Sequence, residues 1–329
     1  MMIVNKIRSL FNPEQYQGWG KRSKYFEGWY YKVVEPEKKH AFAIIPGIAM
    51  DAAGNSHAFI QVLDGSLHTS SYHSFKSESF IPVSGKLDIT IGDNHFTLNK
   101  LKVDLPGLKG TLTFTDTVPW PKTFYSPGIM GPYSFVPFME CYHGIVSMDH
   151  RLEGFLETES GKIDFTGGRG YIEKDWGRSF PSAYVWMQSN HFSHPGISFK
   201  ASVAKIPWIG SSFTGFIAGL WLGDRLIRFT TYNGTRLVRL SISLEQVNLI
   251  LKNRRNVLEV TALREKTAQL ASPLRGFMEG RIEESMAGKI RIVLRDKKTG
   301  KVLFEDTSHR AGLEVAGKIK EILTDSDNH

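Results

Sequence analysis

Residues 170–192 read GYIEKDWGRSFPSAYVWMQSNHF, and residues 24–32 read KYFEGWYYK. Each block sets one or two carboxylates among aromatic rings and basic residues, at the head of a stretch rich in β-formers. The two-residue period of a strand puts Glu27, Trp29 and Tyr31 on one face and Gly28 and Tyr30 on the other. Two such blocks predict two similar sheets, each opening on an aromatic strand. Carboxylic acids held against aromatic walls also suit one kind of chemistry: protonating an apolar substrate and shielding the resulting cation.

Strand signals continue outward from both blocks. They cover residues 40–45, 57–63, 86–91, 95–98, 110–116, 154–157 and 162–166, then 197–203, 213–222, 224–231, 237–243, 257–262, 277–284, 288–295 and 301–308. Gly, Asn and Asp punctuate them, as in Gly92-Asp93-Asn94 and Asn233-Gly234. A spacing of about 8–14 residues per strand predicts an antiparallel sandwich or barrel, not βαβ units. Short helices are expected only over residues 3–10 and 313–323. Residues 119–150 break the rhythm with Pro, Gly and aromatics, and are expected to form a long loop, either a pocket wall or lid or a plug closing one end. Glycines cluster at Gly167, Gly168 and Gly170, which predicts a first domain over 1–167 and a second over 168–329.

The chain has 329 residues, 41% hydrophobic and 22% charged, a composition that suits packed cores in about two domains. The lone cysteine, Cys141, excludes an internal disulfide and any zinc site built on several thiolates. No N-terminal leader pattern and no apolar run long enough to span a bilayer is present, so a cytoplasmic, soluble or peripheral protein is expected. The net charge of +8 is uneven: residues 1–165 hold 16 Lys+Arg against 17 Asp+Glu, and residues 166–329 hold 25 against 16. That asymmetry suits either solvated strand faces or contact with an anionic membrane. No nucleic-acid-binding motif accompanies it. Walker, Rossmann and HExxH patterns and a nucleophile elbow are missing. His191 with His194 and His68 with His73 lack a third ligand, so no metal is expected.

Residues 170–192 resemble the hallmark of the tocopherol cyclase family, in which an aromatic-glycyl segment leads to E-K-(D/N)-W-G-x-x-F-P and then a tryptophan-rich strand. Residues 26–32, FEGWYYK, resemble that family's F-E-G-W-Y-(F/Y)-K, and Ala311-Gly312-Leu313-Glu314-Val315 resembles its closing segment. The resemblance implies an all-β protein of two lipocalin-like antiparallel β-barrels with few short helices, a fold shared with carotenoid hydratase-like proteins. It also implies an intramolecular lyase, an isomerase that closes a prenylated hydroquinone to a chromanol without a cofactor.

That reaction needs an acid to protonate the prenyl double bond, aromatic faces near the tertiary cation, and exclusion of water. Glu27, Asp175 and Glu140 are the candidate acids, with His143 to orient Glu140 or to accept the phenolic proton. Lys174 and Arg178 are candidates for holding the quinol oxygens. Trp29, Tyr30, Trp176, Tyr184 and Trp186 are candidates for the pocket wall. The same residues fit a plainer reading, in which Glu27 pairs with Lys32 or Arg178 as a structural ion pair. Two rival functions share the architecture: a non-catalytic binder of a lipophile, and a hydratase in which water captures the cation. The expected partner in each case is a hydrophobic prenylated small molecule.

Overall fold

The computed structural model describes residues 9–324. The first sheet is built from β1 (Tyr25–Val34), β2 (Ala41–Met50), β3 (Ser56–Asp64), β4 (Thr69–Lys76), β5 (Phe80–Pro82), β6 (Asp88–Ile91), β7 (Asn94–Thr97), β8 (Lys100–Leu105), β9 (Leu108–Thr115), β10 (Cys141–Thr158), β11 (Gly161–Asp164) and β12 (Arg169–Gly177). The second uses β13 (Ala183–Ser189), β14 (Ile197–Trp208), β15 (Ser211–Leu222), β16 (Leu226–Thr230), β17 (Arg236–Ile242), β18 (Gln246–Lys252), β19 (Asn256–Leu263), β20 (Ala268–Leu274), β21 (Phe277–Asp296) and β22 (Val302–Gly317). The strand ladders, such as β1–β12, β10–β12, β14–β15 and β21–β22, are antiparallel. The all-β expectation holds.

Strand order shows that both sheets roll up. The first runs β4-β3-β2-β1-β12-β10-β9-β8-β7-β6-β5, so its two edges are consecutive in the chain. Only three residues separate Lys76 from Phe80, a reach of at most ~14 Å. Ten interstrand gaps laid flat would hold those edges ~48 Å apart. The second sheet runs β16-β15-β14-β13-β22-β21-β19-β18-β17, and its edges β16 and β17 are again consecutive. Each rolled sheet encloses its own apolar core. One is built around Trp29, Tyr31, Ile44, Phe96 and Leu112, the other around Val185, Phe199, Leu220, Leu249 and Ile292.

The chain divides into two compact units, Met1–Phe180 with Leu270–Arg281, and Pro181–Gln269 with Ile282–His329. The junction therefore lies at 180/181, not at 167/168. The cause is β12, the EKDW strand, which pairs with β1 on one side and β10 on the other and so completes the first sheet. The hairpin tip at 270–281 also belongs to the first unit. There the Gln61 side-chain oxygen accepts the Ala271 N–H at 2.7 Å, while Gly276 N–H donates to the carbonyl of Arg178 at 2.5 Å.

Other differences are local. The helix expected over residues 313–323 is strand through Gly317, because Leu313 and Val315 face the second core in register with Met187 and Val185, and only Ile319–Glu321 is helical. The expected loop over 119–150 ends at Glu140, since Cys141 already pairs with Gly177. The helix expected at 3–10 lies, except for its last two residues, outside the described part. Among the described residues, no helix is long and apolar enough to cross a membrane.

Candidate active site

β1, β12 and β10 lie side by side, and alternation along β12 sorts their side chains. Ile172, Lys174 and Trp176 share the face of Trp29 and Tyr31, toward the core. Tyr171, Glu173 and Asp175 take the other face, where their register partners on β1 are Lys32, Tyr30 and Gly28. Carboxylates thus stand on both faces of one three-stranded strip.

On the core face, Glu27 Oε1 meets Lys174 Nζ at 2.5 Å, and neither side chain is exposed. Glu27 also accepts the Gln17 N–H at 2.8 and 3.0 Å and the Tyr25 hydroxyl. Lys174 donates to the carbonyls of Pro13, at 2.8 Å, and Gln15. Its ammonium lies 4.7 Å from the centre of the Trp29 ring and 4.6 Å from that of Trp176. Burial pushes the Glu27 carboxyl up and the Lys174 ammonium down, and their mutual attraction pulls each back. All three ammonium hydrogens have acceptors, and besides Lys174 the carboxylate is held by two donor groups, the Gln17 N–H and the Tyr25 hydroxyl. Neither residue has capacity left for a substrate. The partner of Glu27 is thus Lys174, not Lys32 or Arg178. Lys174 ties residues 13–15 to the sheet instead of holding quinol oxygens. Trp29, whose indole N–H donates to the carbonyl of Glu14 at 2.8 Å, and Trp176 cage that ammonium.

On the opposite face, His143 Nε2 is buried without a hydrogen-bond partner. His143, in register with Asp175, shares a hydrogen bond with it, Nδ1 to Oδ1, at 2.8 Å. His143 Nε2 lies 3.6 Å from Glu173 Oε2, too far for a hydrogen bond. The Tyr171 hydroxyl donates to that Glu173 oxygen at 2.5 Å. Burial, and then the adjacent Glu173, push the Tyr171 hydroxyl well above its ordinary pKa, so it remains a donor. The His143 backbone N–H points at Met130 Sδ, 3.1 Å away, which ties the strip to the 119–140 loop. Side-chain exposure rises from 5% at Glu173 through 12% at His143 to 23% at Asp175. A row of titratable groups thus opens outward at Asp175. The three offer metal-ligand atom types within 4.8 Å of one another, although at 2.8 Å the His143–Asp175 contact is a shared proton.

The remaining candidates are spread more widely. Glu140 is half-buried just before β10. Burial raises its carboxyl, and the charge of Arg178 partly offsets that. Arg178 is exposed, and its backbone N–H donates to the Glu140 carbonyl at 2.8 Å. Tyr30 is buried opposite Glu173, on the carboxylate face rather than with Trp29. Cys141 directs its thiol toward Asp175 Oδ1 at 3.8 Å. In the second unit, the Tyr184 hydroxyl donates to Glu314 at 2.8 Å, and the Trp186 ring packs over Gly312, where a β-carbon would come within 2.6 Å of it.

Glu173 and Tyr171 escaped the sequence reading, although the alternation of Tyr171, Glu173 and Asp175 in YIEKD was visible. His143 was expected beside Glu140; only the β10–β12 register shows that its partner is Asp175.

Comparison with known proteins agrees with this architecture. A profile of the tocopherol cyclase-like family matches residues 111–317. The chloroplastic tocopherol cyclase of Zea mays is 26% identical over 194 residues, which is 55% of this chain but 40% of that protein, so the match spans less than half of the relative's length. An AttH-like protein of Nitrosomonas europaea has a similar fold, with TM-score 0.55 and 15% identity, over 89% of this chain and 93% of the other. Kievitone hydratase of Nectria haematococca follows, with TM-score 0.52 and 11% identity over 90% of each chain. At such identities the two structures speak to fold alone. The family profile covers more than half of the sequence and includes the EKDW strand: the chain belongs to the tocopherol cyclase-like family.

Proposed function

We propose that the protein closes a prenylated hydroquinone to a chromanol, with Asp175 as proton donor and His143 as the group that collects the phenolic proton. The observation that carries the reading is the 2.8 Å hydrogen bond between His143 Nδ1 and Asp175 Oδ1, which leaves Nε2 without a close partner beside Glu173. In the first step, the Asp175 carboxylic acid gives its proton to the less substituted carbon of the nearest prenyl double bond. The tertiary carbon becomes cationic, and the phenolic oxygen bonds to it. The phenolic proton then passes to His143 Nε2, while the Nδ1 proton returns to Asp175. The acid is restored, exchange with solvent returns the imidazole proton from Nε2 to Nδ1 before the next turnover, and no atom is gained or lost. Glu173, fixed by Tyr171, sits where it steadies the charged imidazole during the transfer.

Family membership supports the reaction type, and the outward-opening row on β12 supports the assignment of roles. Glu140 is the competing acid, because burial favours its protonated form. The test is incubation of the protein with phytyl and shorter prenyl hydroquinones, followed by separation of quinol from its mass-neutral chromanol. Chromanol formed by the wild type and lost in Asp175→Asn supports the assignment. Loss in Glu140→Gln alone moves the donor to Glu140. A product one water heavier identifies a hydratase, and unchanged quinol retained by the protein identifies a lipophile binder.

A further inference from the structure

The β14–β15 hairpin in the second unit runs past both of its neighbours in the sheet. Its last four pairs, Lys205–Thr214, Ile206–Phe213, Pro207–Ser212 and Trp208–Ser211, lie beyond the ladders to the neighbouring strands. Pairing of β13 with β14 stops at Tyr184–Ala204, and pairing of β15 with β16 stops at Ile217–Thr230. The hairpin therefore extends beyond the ladder on either side by about 15 Å of two-stranded ribbon. An isolated ribbon of that kind is marginal in water.

Its sequence compounds the problem. Residues 206–223 contain no charged side chain. Ile209 and Gly210 form the two-residue loop, both with positive φ, at 36° and 77°. That geometry favours Asn or Asp followed by Gly, whereas a β-branched residue there is strained. Ile209 is nonetheless 78% exposed, so it pays the backbone cost without burying its side chain. Behind it, Trp208 and Phe213 meet edge to face at 5.9 Å.

Around the base of the ribbon the character changes to basic. Lys205 pairs with Glu321 at 2.7 Å, and Lys318 is close enough to help lower the Glu321 carboxyl. Lys318 and Lys320 are exposed. Lys318 N–H donates to the carbonyl of Ser182, which holds this segment at the hairpin's end of the sheet. The second unit as a whole has 20 Lys+Arg against 13 Asp+Glu, a net of +7.

From the strained apolar tip, the aromatic pair behind it and the basic collar, we infer that this hairpin inserts into the surface of an anionic bilayer. Aromatic and aliphatic side chains at the tip enter the headgroup–acyl boundary, and the lysines meet lipid phosphates. The charge of the unit selects a membrane over an apolar protein groove. The inference does not rest on the catalytic proposal, and its test does not use activity.

The full chain is sedimented with vesicles of phosphatidylcholine containing phosphatidylglycerol, and with phosphatidylcholine alone. Binding to the anionic vesicles is expected, weakened but not abolished by salt. Ile209→Asn suits the loop better, so its thermal midpoint should match or exceed that of the wild type. Its vesicle affinity should nevertheless fall about tenfold to a hundredfold, the worth of one buried aliphatic side chain. Trp208→Ser should weaken binding in the same direction. Absence of vesicle binding by the wild type overturns the inference, as does Ile209→Asn binding undiminished. Concentration-dependent dimerisation that Ile209→Asn abolishes, with vesicle binding unaffected, also overturns it and makes the tip a contact between copies.

Discussion

Glu27 and Lys174, 147 positions apart in the sequence, meet at 2.5 Å with neither side chain exposed. The pair joins β1 to β12 through the interior of the first unit, and the lysine's other hydrogens fasten residues 13–15 to the same place. A buried pair of this kind is stable only while its geometry is complete.

Breaking it from one side should therefore be costly. Lys174→Met leaves the Glu27 carboxyl buried without its cation and is expected to cost about 3–5 kcal/mol. Adding Glu27→Gln removes the orphaned charge and should recover a substantial part of that loss. Urea unfolding of the two single variants and the double variant measures the coupling. Additive losses would show that the residues act independently.

Asp175→Asn keeps the shape of the side chain but removes its exchangeable acid proton. Turnover of a prenylated hydroquinone is expected to fall by about 10²–10⁴, with the unfolding midpoint nearly unchanged because Asp175 is partly exposed. His143→Gln should lower turnover in the same way. Tyr171→Phe, which loosens only Glu173, should have a smaller effect. Single-turnover assays on folded variants distinguish these outcomes.

His150 makes the first unit sensitive to acid. It is fully buried beside Phe114, and desolvation lowers its pKa from 6.5 to about 3. Its Nδ1 donates to Ser147 Oγ at 3.1 Å, because the serine proton already goes to the carbonyl of Asp149. The unfolded chain binds a proton below about pH 6.5 and the folded chain does not. The stabilising contribution is therefore complete above pH 6.5 and is lost as pH falls toward 3, at about 1.4 kcal/mol per pH unit. Urea midpoints at pH 7 and pH 5 should differ less in His150→Gln than in the wild type. Equal pH dependence would refute the assignment.

Gly312→Ala places a methyl group within 2.6 Å of the Trp186 ring. The indole must move, and about 1–3 kcal/mol of stability should be lost. A shifted near-UV circular dichroism band would report the displaced ring. An unchanged band with unchanged stability would show that the ring is not seated on Gly312.

Much of the strand content was legible because it depends on local periodicity. The runs at 57–63, 197–203 and 257–262 fall within β3, β14 and β19. The 313–323 segment failed because five alternating residues look alike as a short strand and as a helical turn, and pairing with β13 decides between them. The first half of β10 was hidden, although the run at 154–157 falls within the strand, because that half follows a Pro- and Gly-rich loop and is stabilised by pairing with β12 rather than by its own composition.

The sequence by itself determined an all-β chain, its two aromatic blocks and its family, because the period of a strand and a motif are both properties of neighbouring residues. Only the tertiary structure decided what the carboxylates do. One alternation along β12 sends Lys174 inward to neutralise Glu27 and turns Asp175 outward to His143. Which partner each residue meets depends on the register of β1 and β10 against that strand. Register is set by burying a whole face at once, and no single segment carries that information.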